Sequence, residues 1–210
     1  MCEYRGAFKV KPAVLVTPLT KEIPKIKDAD YIGVDAGCLQ ILNQGLPLAF
    51  GVGDFDSMDK DMLEVLKQRA SLTIHPVQKD ETDSELALRL CHKKGYSPLI
   101  LTGSLHGRID HTIANIRLLM YRYADLILWE PDQKMYCLLK GIHTIRSSYK
   151  HISFFAIEGS IVSLEGFLYP LHQYDLKPDD IITVSNSIVK EQGIITLDKG
   201  KVLCIESNVR

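Results

Sequence analysis

The feature that most constrains the fold is a change of rhythm near residue 132. Before it, short apolar runs alternate with stretches of helical period. Ala13–Thr17, Tyr31–Asp35, Leu72–His75, Leu99–Thr102 and Leu126–Trp129 are predicted strands, rich in β-branched and large apolar residues. Leu39–Asn43, Met58–Arg69, Glu85–Lys94 and Thr112–Tyr123 are predicted helices. In Met58–Arg69, Leu63, Val65 and Leu66 are expected to face inward, with Asp59 and Asp61 favourably placed in the first turn. Thr82-Asp83-Ser84-Glu85 reads as a capping box, and Gly95 as the stop of the helix it opens. Strands alternating with helices imply a mostly parallel sheet flanked by helices, a Rossmann-like α/β arrangement.

After residue 132 the helical periods vanish. Met135–Leu139, Ile142–Arg146, Ile152–Ile157, Ser160–Leu164, Ile181–Val184, Ile194–Leu197 and Val202–Ile205 read as strands. Turn residues such as Glu158-Gly159, Lys177-Pro178-Asp179 and Asp198-Lys199-Gly200 separate them. Short strands at that spacing predict an all-β sandwich. Glu130-Pro131-Asp132-Gln133 forms the joint, giving an α/β domain over 1–131 and a β-sandwich domain over 132–210. Ligand sites favour such domain junctions.

Several function classes are disfavoured at once. A net charge of −1 supplies no basic field for nucleic acid. No apolar run is long enough to span a bilayer, so no membrane partner is expected. The N-terminal residues lack the apolar core of a signal peptide. The five cysteines are odd in number and free of CxxC spacing, which fits reduced thiols and a cytoplasmic location. No two of the seven histidines form an HxH or HxxxH pair.

Three polar stretches stand out. The first is Gly51-Val52-Gly53-Asp54-Phe55-Asp56-Ser57, between an apolar run and a helix. If that segment is extended, Asp54 and Asp56 point the same way and Phe55 points into the core. Two carboxylates so aimed repel unless a cation or a shared proton lies between them. Mg²⁺ suits such a pair, since it takes hard oxygen ligands and is often held by one or two carboxylates plus substrate phosphates. The bland alternative makes Asp54 a turn residue and Asp56 or Ser57 a helix cap.

The second stretch is Lys79-Asp80-Glu81-Thr82-Asp83, after a strand and at a helix start, the usual ligand position in an open α/β sheet. A first-turn Asp83 is also stabilised by the helix dipole whether or not it has a function. The third runs from Leu101 through Gly103, Ser104 and Gly107 to Arg108, Asp110, His111 and Asn115. Free N–H groups at such a helix start suit phosphate oxygens. Arg108, His111 (or Thr112) and Asn115 share one polar face, while Ile113, Ile116 and Met120 supply an apolar one. Arg108 is suited to a two-pronged grip on phosphate. Asp110 either caps the helix, holds Arg108 or meets a substrate hydroxyl. Neither GxxxxGK[ST] nor GxGxxG occurs, so any nucleotide chemistry here uses carboxylates and a metal rather than a Walker loop.

Taken together the motifs resemble the thiamine pyrophosphokinase family. Its pattern runs GDxDS, K/QDxTD, GRxDH followed by Asn, a G-x-K-Y-P-L-like segment and a Ser-Asn pair. This chain carries Gly53-Asp54-Phe55-Asp56-Ser57, Lys79-Asp80-Glu81-Thr82-Asp83 and Gly107-Arg108-Ile109-Asp110-His111 with Asn115. It then carries Gly166-Phe167-Leu168-Tyr169-Pro170-Leu171 and Ser185-Asn186, in the same order. The resemblance implies a homodimer with shared active sites that moves pyrophosphate from ATP to the hydroxyl of thiamine, giving thiamine diphosphate and AMP. It implies Mg²⁺, or Mn²⁺ in its place, on Asp54, Asp56, Asp83 and Asp80. It assigns ATP to Asp35, Gly37, Thr82, Gly103, Ser104, Gly107, Arg108, His111 and Asn115, and thiamine to Ser185 and Asn186. Asp54, Asp56, Asp83, Arg108 and Asp110 form the catalytic set. The chain departs from the family pattern at Ala36, where a glycine is usual, and at Leu168, where a lysine is usual. Ala36 therefore requires a sterically ordinary backbone. Two other classes compete: a metal-dependent nucleotide hydrolase, and a non-catalytic nucleotide or thiamine sensor on the same fold.

Overall fold

A computed structural model describes residues 10–56, 58–74, 81–146 and 148–208. Ser57, His75, Lys79 and Asp80, all part of the readings above, lie outside those residues. The chain divides into two compact units, 1–118 with 125–131, and 119–124 with 132–210.

The first unit holds six strands: β1 (Ala13–Val16), β2 (Asp30–Val34), β3 (Leu48–Gly53), β4 (Ser71–Ile74), β5 (Leu99–Thr102) and β6 (Leu126–Glu130). They pair in the order β6-β5-β1-β2-β3-β4, and every pairing is parallel. All four residues of β1 and all four of β5 are buried, which is why these strands read as unbroken apolar runs. Helix α1 (Gly37–Asn43) packs on β1, β2 and β3, and α2 (Lys60–Arg69) packs on β4. Helix α3 (Asp83–Lys93) covers β1, β2, β3 and β5. Helix α4 (Ile109–Tyr121) follows β5. From β1 the chain steps outward through β2, β3 and β4, then returns to the other side of β1 with β5. That reversal makes a topological switch point between β1 and β5, the preferred ligand position in such sheets.

Local details differ from the sequence reading for identifiable reasons. In α2 only Leu66 is fully buried, and Val65 is exposed. Leu66 sets the helical phase, and its immediate neighbour turns about 100° away. Asp59 is the N-cap, accepting the Asp61 N–H at 2.8 Å, so the capping role does not fall to Asp56. Helix α3 begins at Asp83, two residues early, because Thr82 is its N-cap and accepts the Glu85 N–H at 3.2 Å. Helix α4 also starts early, at Ile109, and Ile109 and Ile113 are exposed rather than part of a packed face.

The second unit is antiparallel: β7 (Gln133–Ile145), β8 (His151–Ala156), β9 (Ser160–Glu165), β10 (Leu171–Leu176) and β11 (Gly193–Ser207). Strand β11 pairs with β7 along its length; its other edge takes β9 in the first half and β8 in the second. One expected turn therefore becomes an irregularity inside a long strand. Asp198-Lys199-Gly200 is absorbed as a register shift between Leu197 and Lys201, opposite Gly141. Phe154, Phe167, Val162, Leu164, Ile195, Leu197 and Val202 share one core, with the Phe154 and Phe167 rings edge to face at 5.6 Å.

The expected strand Ile181–Val184 is a turn. Its apolar side chains Ile181, Ile182 and Val184 are exposed, and only Thr183 is buried, with its hydroxyl donating to the Phe154 carbonyl. Strand β10 was not expected, because His172, Gln173 and Asp175 interrupt any apolar alternation. Among the described residues it pairs only with β9, through a register shift where Gln173 adopts φ 47°.

Candidate active site

Strand ends position the acidic cluster. Asp35 follows β2 and Asp54 follows β3, adjacent parallel strands, so both carboxylates emerge at the carboxyl edge of the sheet. Asp35 sits at φ 48° and accepts the Asp54 N–H at 3.1 Å. A Cβ at Gly53 would lie 1.7 Å from Asp35 Oδ1, so only glycine lets that carboxylate rest against the end of β3. Burial pushes the Asp35 carboxyl up to about 6, and the charges of Asp83 and Asp54 push the same way. Asp35, Asp54 and Asp83 thus form one electrostatic group, built from β2, β3 and the N-terminus of α3.

Asp54 and Asp56 are not held as an extended pair. Phe55 adopts φ 56° and is buried with Cys38 and Leu66, and the Asp56 N–H donates to Asp54 Oδ1 at 3.2 Å. The segment is a turn whose buried anchor is Phe55; Asp56 is exposed. Among the described residues, no three carboxylate, imidazole or thiol groups converge into a ready-made metal cage. The donor chemistry nonetheless fits a hard cation. Desolvated, mutually repelling carboxylates are the environment that a divalent ion relieves, and Mg²⁺ needs only one or two of them beside phosphate oxygens.

Ala36 is sterically ordinary, at φ −62° and ψ −6°. Gly37 is buried: a Cβ there would meet the Val16 carbonyl oxygen at 1.8 Å. Its role visible in the structure is to let α1 start against β1, not to present an open surface.

The glycine loop after β5 is tied down from four directions. Thr17 Oγ1 donates to the Gly103 carbonyl at 3.0 Å, and Thr20 Oγ1 to the Thr102 carbonyl at 3.0 Å. Asn115 Nδ2 donates to the Ser104 carbonyl at 3.2 Å. Glu130 Oε1 accepts the Ser104 N–H at 2.8 Å and the Leu105 N–H at 3.2 Å. Two expectations are corrected here. Ser104 is buried and its N–H points inward, so it is not a free phosphate donor. Asn115 is likewise buried and spends its amide on the loop rather than on an open polar face. Gly107, Arg108, Asp110 and His111 are exposed. Arg108 reaches Asp110 with two bonds, Nε to Oδ1 at 3.2 Å and Nη2 to Oδ2 at 2.7 Å, and Asp110 Oδ1 also accepts the His111 N–H at 2.9 Å. The bonds from Arg108 hold the Asp110 carboxyl below its usual range.

Thr17, Thr20 and Glu130 escaped the sequence reading. A carboxylate ending the apolar strand Leu126–Trp129 was a usable signal, because an acidic residue at a buried strand end needs a partner.

In the second unit, Ser185 is exposed at φ 58° and its N–H donates to Ser153 Oγ at 2.9 Å. Asn186 is 2% exposed. Its Oδ1 accepts the N–H groups of Tyr169 and Ser187, and its Nδ2 donates to the Tyr169 carbonyl at 2.8 Å. Asn186 therefore clamps the Gly166–Leu171 segment, where Leu168 and Tyr169 are exposed.

The chain matches two family sequence models: "Thiamin pyrophosphokinase, catalytic domain" over residues 25–129, and "Thiamin pyrophosphokinase, vitamin B1 binding domain" over residues 142–202. It is 28% identical over 185 residues to a thiamine pyrophosphokinase of Bacillus subtilis, covering 84% of this chain and 86% of that one. Among solved structures, a thiamin pyrophosphokinase family protein from Enterococcus faecalis superposes with a TM-score of 0.85 at 24% identity, covering 95% of this chain and all of that one. The Bacillus subtilis thiamine pyrophosphokinase structure superposes with a TM-score of 0.83, also at 24% identity, with 95% and 100% covered. These structures share the α/β fold.

Proposed function

The chain belongs to the thiamin pyrophosphokinase family, and on that premise we propose that it transfers pyrophosphate from ATP to the hydroxyl of thiamine, releasing AMP. It is a thiamine diphosphokinase. The observation that carries the finer reading is the acidic group of Asp35, Asp54 and Asp83 at the carboxyl edge of the sheet. It lies in the same unit as a rigid glycine loop at the topological switch point.

In this reading Asp54, Asp56 and Asp83, with Asp80, hold Mg²⁺, which supplies charge neutralisation for the phosphate oxygens. Asp35 supports the group from below by fixing the Asp54 N–H. Gly107 and Arg108 face solvent and are available to the phosphates, while Gly103 and Ser104 act as the inner wall of the loop. Arg108 exchanges Asp110 for phosphate when nucleotide binds, which leaves Asp110 able to accept the thiamine hydroxyl proton. Thr82 sets the start of α3 and so the position of Asp83. Ser185 and the segment that Asn186 clamps supply the thiamine contacts. The active species is a homodimer in which the second unit of one subunit completes the site of the other.

Asp54→Asn tests the acidic group. It keeps the shape and removes a charge that acts chiefly in the transition state. The expected result is a fall in kcat of about a hundredfold or more, with ATP binding changed by less than about tenfold. A kcat near that of the wild type would remove Asp54 from the mechanism.

A further inference from the structure

We propose that Glu130 is a positioning residue for the nucleotide site: an internal carboxylate that holds the glycine loop in shape before any phosphate arrives. The inference rests on the reading of residues 103–108 as the nucleotide loop. Successive backbone N–H groups in a strand-to-helix turn form a concave anion site. In this protein the anion belongs to the chain itself. Glu130 ends β6, the strand beside β5, and its side chain is 0% exposed. One oxygen, Oε1, takes both the Ser104 and Leu105 N–H groups. The other, Oε2, lies 3.6 Å from His106 Nε2.

Two consecutive loop N–H groups are thus gathered on one carboxylate oxygen, with the His106 ring beside the other, and the Ser104 carbonyl is fixed from the other side by Asn115. Backbone N–H groups at a buried site are costly to leave without an acceptor, so losing the Glu130 side chain would release both ends of the loop's inner wall. The consequence is a division of labour within the loop. Residues 104 and 105 face inward to Glu130, which leaves exposed Gly107 and Arg108 as the face offered to nucleotide. Glu130 touches neither substrate; it acts through the backbone.

The test uses the full-length protein with ATP, Mg²⁺ and thiamine, in wild type, Glu130→Ala and Glu130→Gln. Hydrogen exchange of the Ser104 and Leu105 amides is followed beside the kinetics. In Glu130→Ala, kcat/KM for ATP should fall about tenfold or more while the thiamine KM stays within about twofold. Exchange at Ser104 and Leu105 should accelerate by about tenfold or more, with the β1 and β5 amides unchanged. Glu130→Gln keeps an acceptor oxygen without the charge and should fall between the two. A folded Glu130→Ala protein with wild-type ATP kinetics and wild-type exchange overturns the proposal. Equal losses toward ATP and thiamine also overturn it, since a merely structural role predicts them. If the alanine variant does not fold, Glu130→Gln is judged by the same criteria. Wild-type protein that makes no thiamine diphosphate refutes the proposed function instead, and the loop-holding role is then decided by the exchange rates alone.

Discussion

At the scale of single residues, Asp35 is the most informative position. Its carboxyl is raised from 3.8 to about 6, first by burial and then by Asp83, with Asp54 adding to the repulsion. An acid whose folded value is raised binds more protons folded than unfolded between those two values. Stability therefore falls as pH rises through that window, and the penalty is fully present above about 6. Without divalent metal, Asp35→Asn should be more stable than the wild type at pH 7.5. Allowing for solvent screening at a partly exposed site, the gain should be about 1–2 kcal/mol. The advantage should fade as pH approaches 4, the usual carboxylate value of 3.8. Thermal denaturation in chelator at the two pH values measures it. An advantage that is the same at both would show that charge is not its origin. The same substitution should lower activity, because the penalty is strain held at a functional group.

At the scale of elements, the parallel sheet was legible because its strands are buried on both faces and so appear as unbroken apolar runs. Helix α3 was legible from the Thr82 cap. Elsewhere the chain hides its structure. Ile181–Val184 has strand composition, but only Thr183 is buried, so composition without a buried face misleads. Strand β10 packs Leu171, Tyr174 and Leu176 on the core, but the register shift between Leu171 and Tyr174 breaks their alternation. The acidic site was legible as residue types, whereas its geometry was not: the left-handed Phe55 turns an apparent extended pair into a bend. Glu130 signals a need for a partner by ending an apolar strand, but the sequence does not identify that partner, because it is backbone N–H groups, one of them 26 residues away. The resemblance assigns Asn186 to thiamine, and the structure adds a local role, since its bonds go to the Tyr169 backbone and the Ser187 N–H. Asn186→Ala should therefore destabilise the protein by about 1–2 kcal/mol, because the part-buried N–H and carbonyl of Tyr169 lose their partner. It should also raise the thiamine KM through the loosened Gly166–Leu171 segment, with the ATP KM little changed. Chemical denaturation and steady-state kinetics read the two effects; unchanged stability would contradict the clamp.

At the scale of the whole molecule, the two units divide the groups that the proposed reaction requires. Acidic residues and the glycine loop belong to the first unit, Ser185 and Asn186 to the second. No helix among the described residues is long and apolar enough to cross a membrane. The shared-site proposal predicts a solution mass of twice the chain. It also predicts rescue when Asp54→Asn and Asn186→Ala chains are refolded together. With random pairing about half the dimers are mixed, and one site in each mixed dimer is intact, so about a quarter of all sites recover. Mixed dimers with no more activity than their parents would place each site within one chain.

In the proposed reaction the β- and γ-phosphates of ATP move together onto thiamine. Phosphorus NMR of a reaction containing wild-type protein, ATP, Mg²⁺ and thiamine tests it most directly. The expected spectrum shows AMP and thiamine diphosphate rising in equal amounts, with neither product formed when thiamine is left out. Accumulation of ADP with thiamine monophosphate, or of AMP with free pyrophosphate in the absence of thiamine, would contradict it.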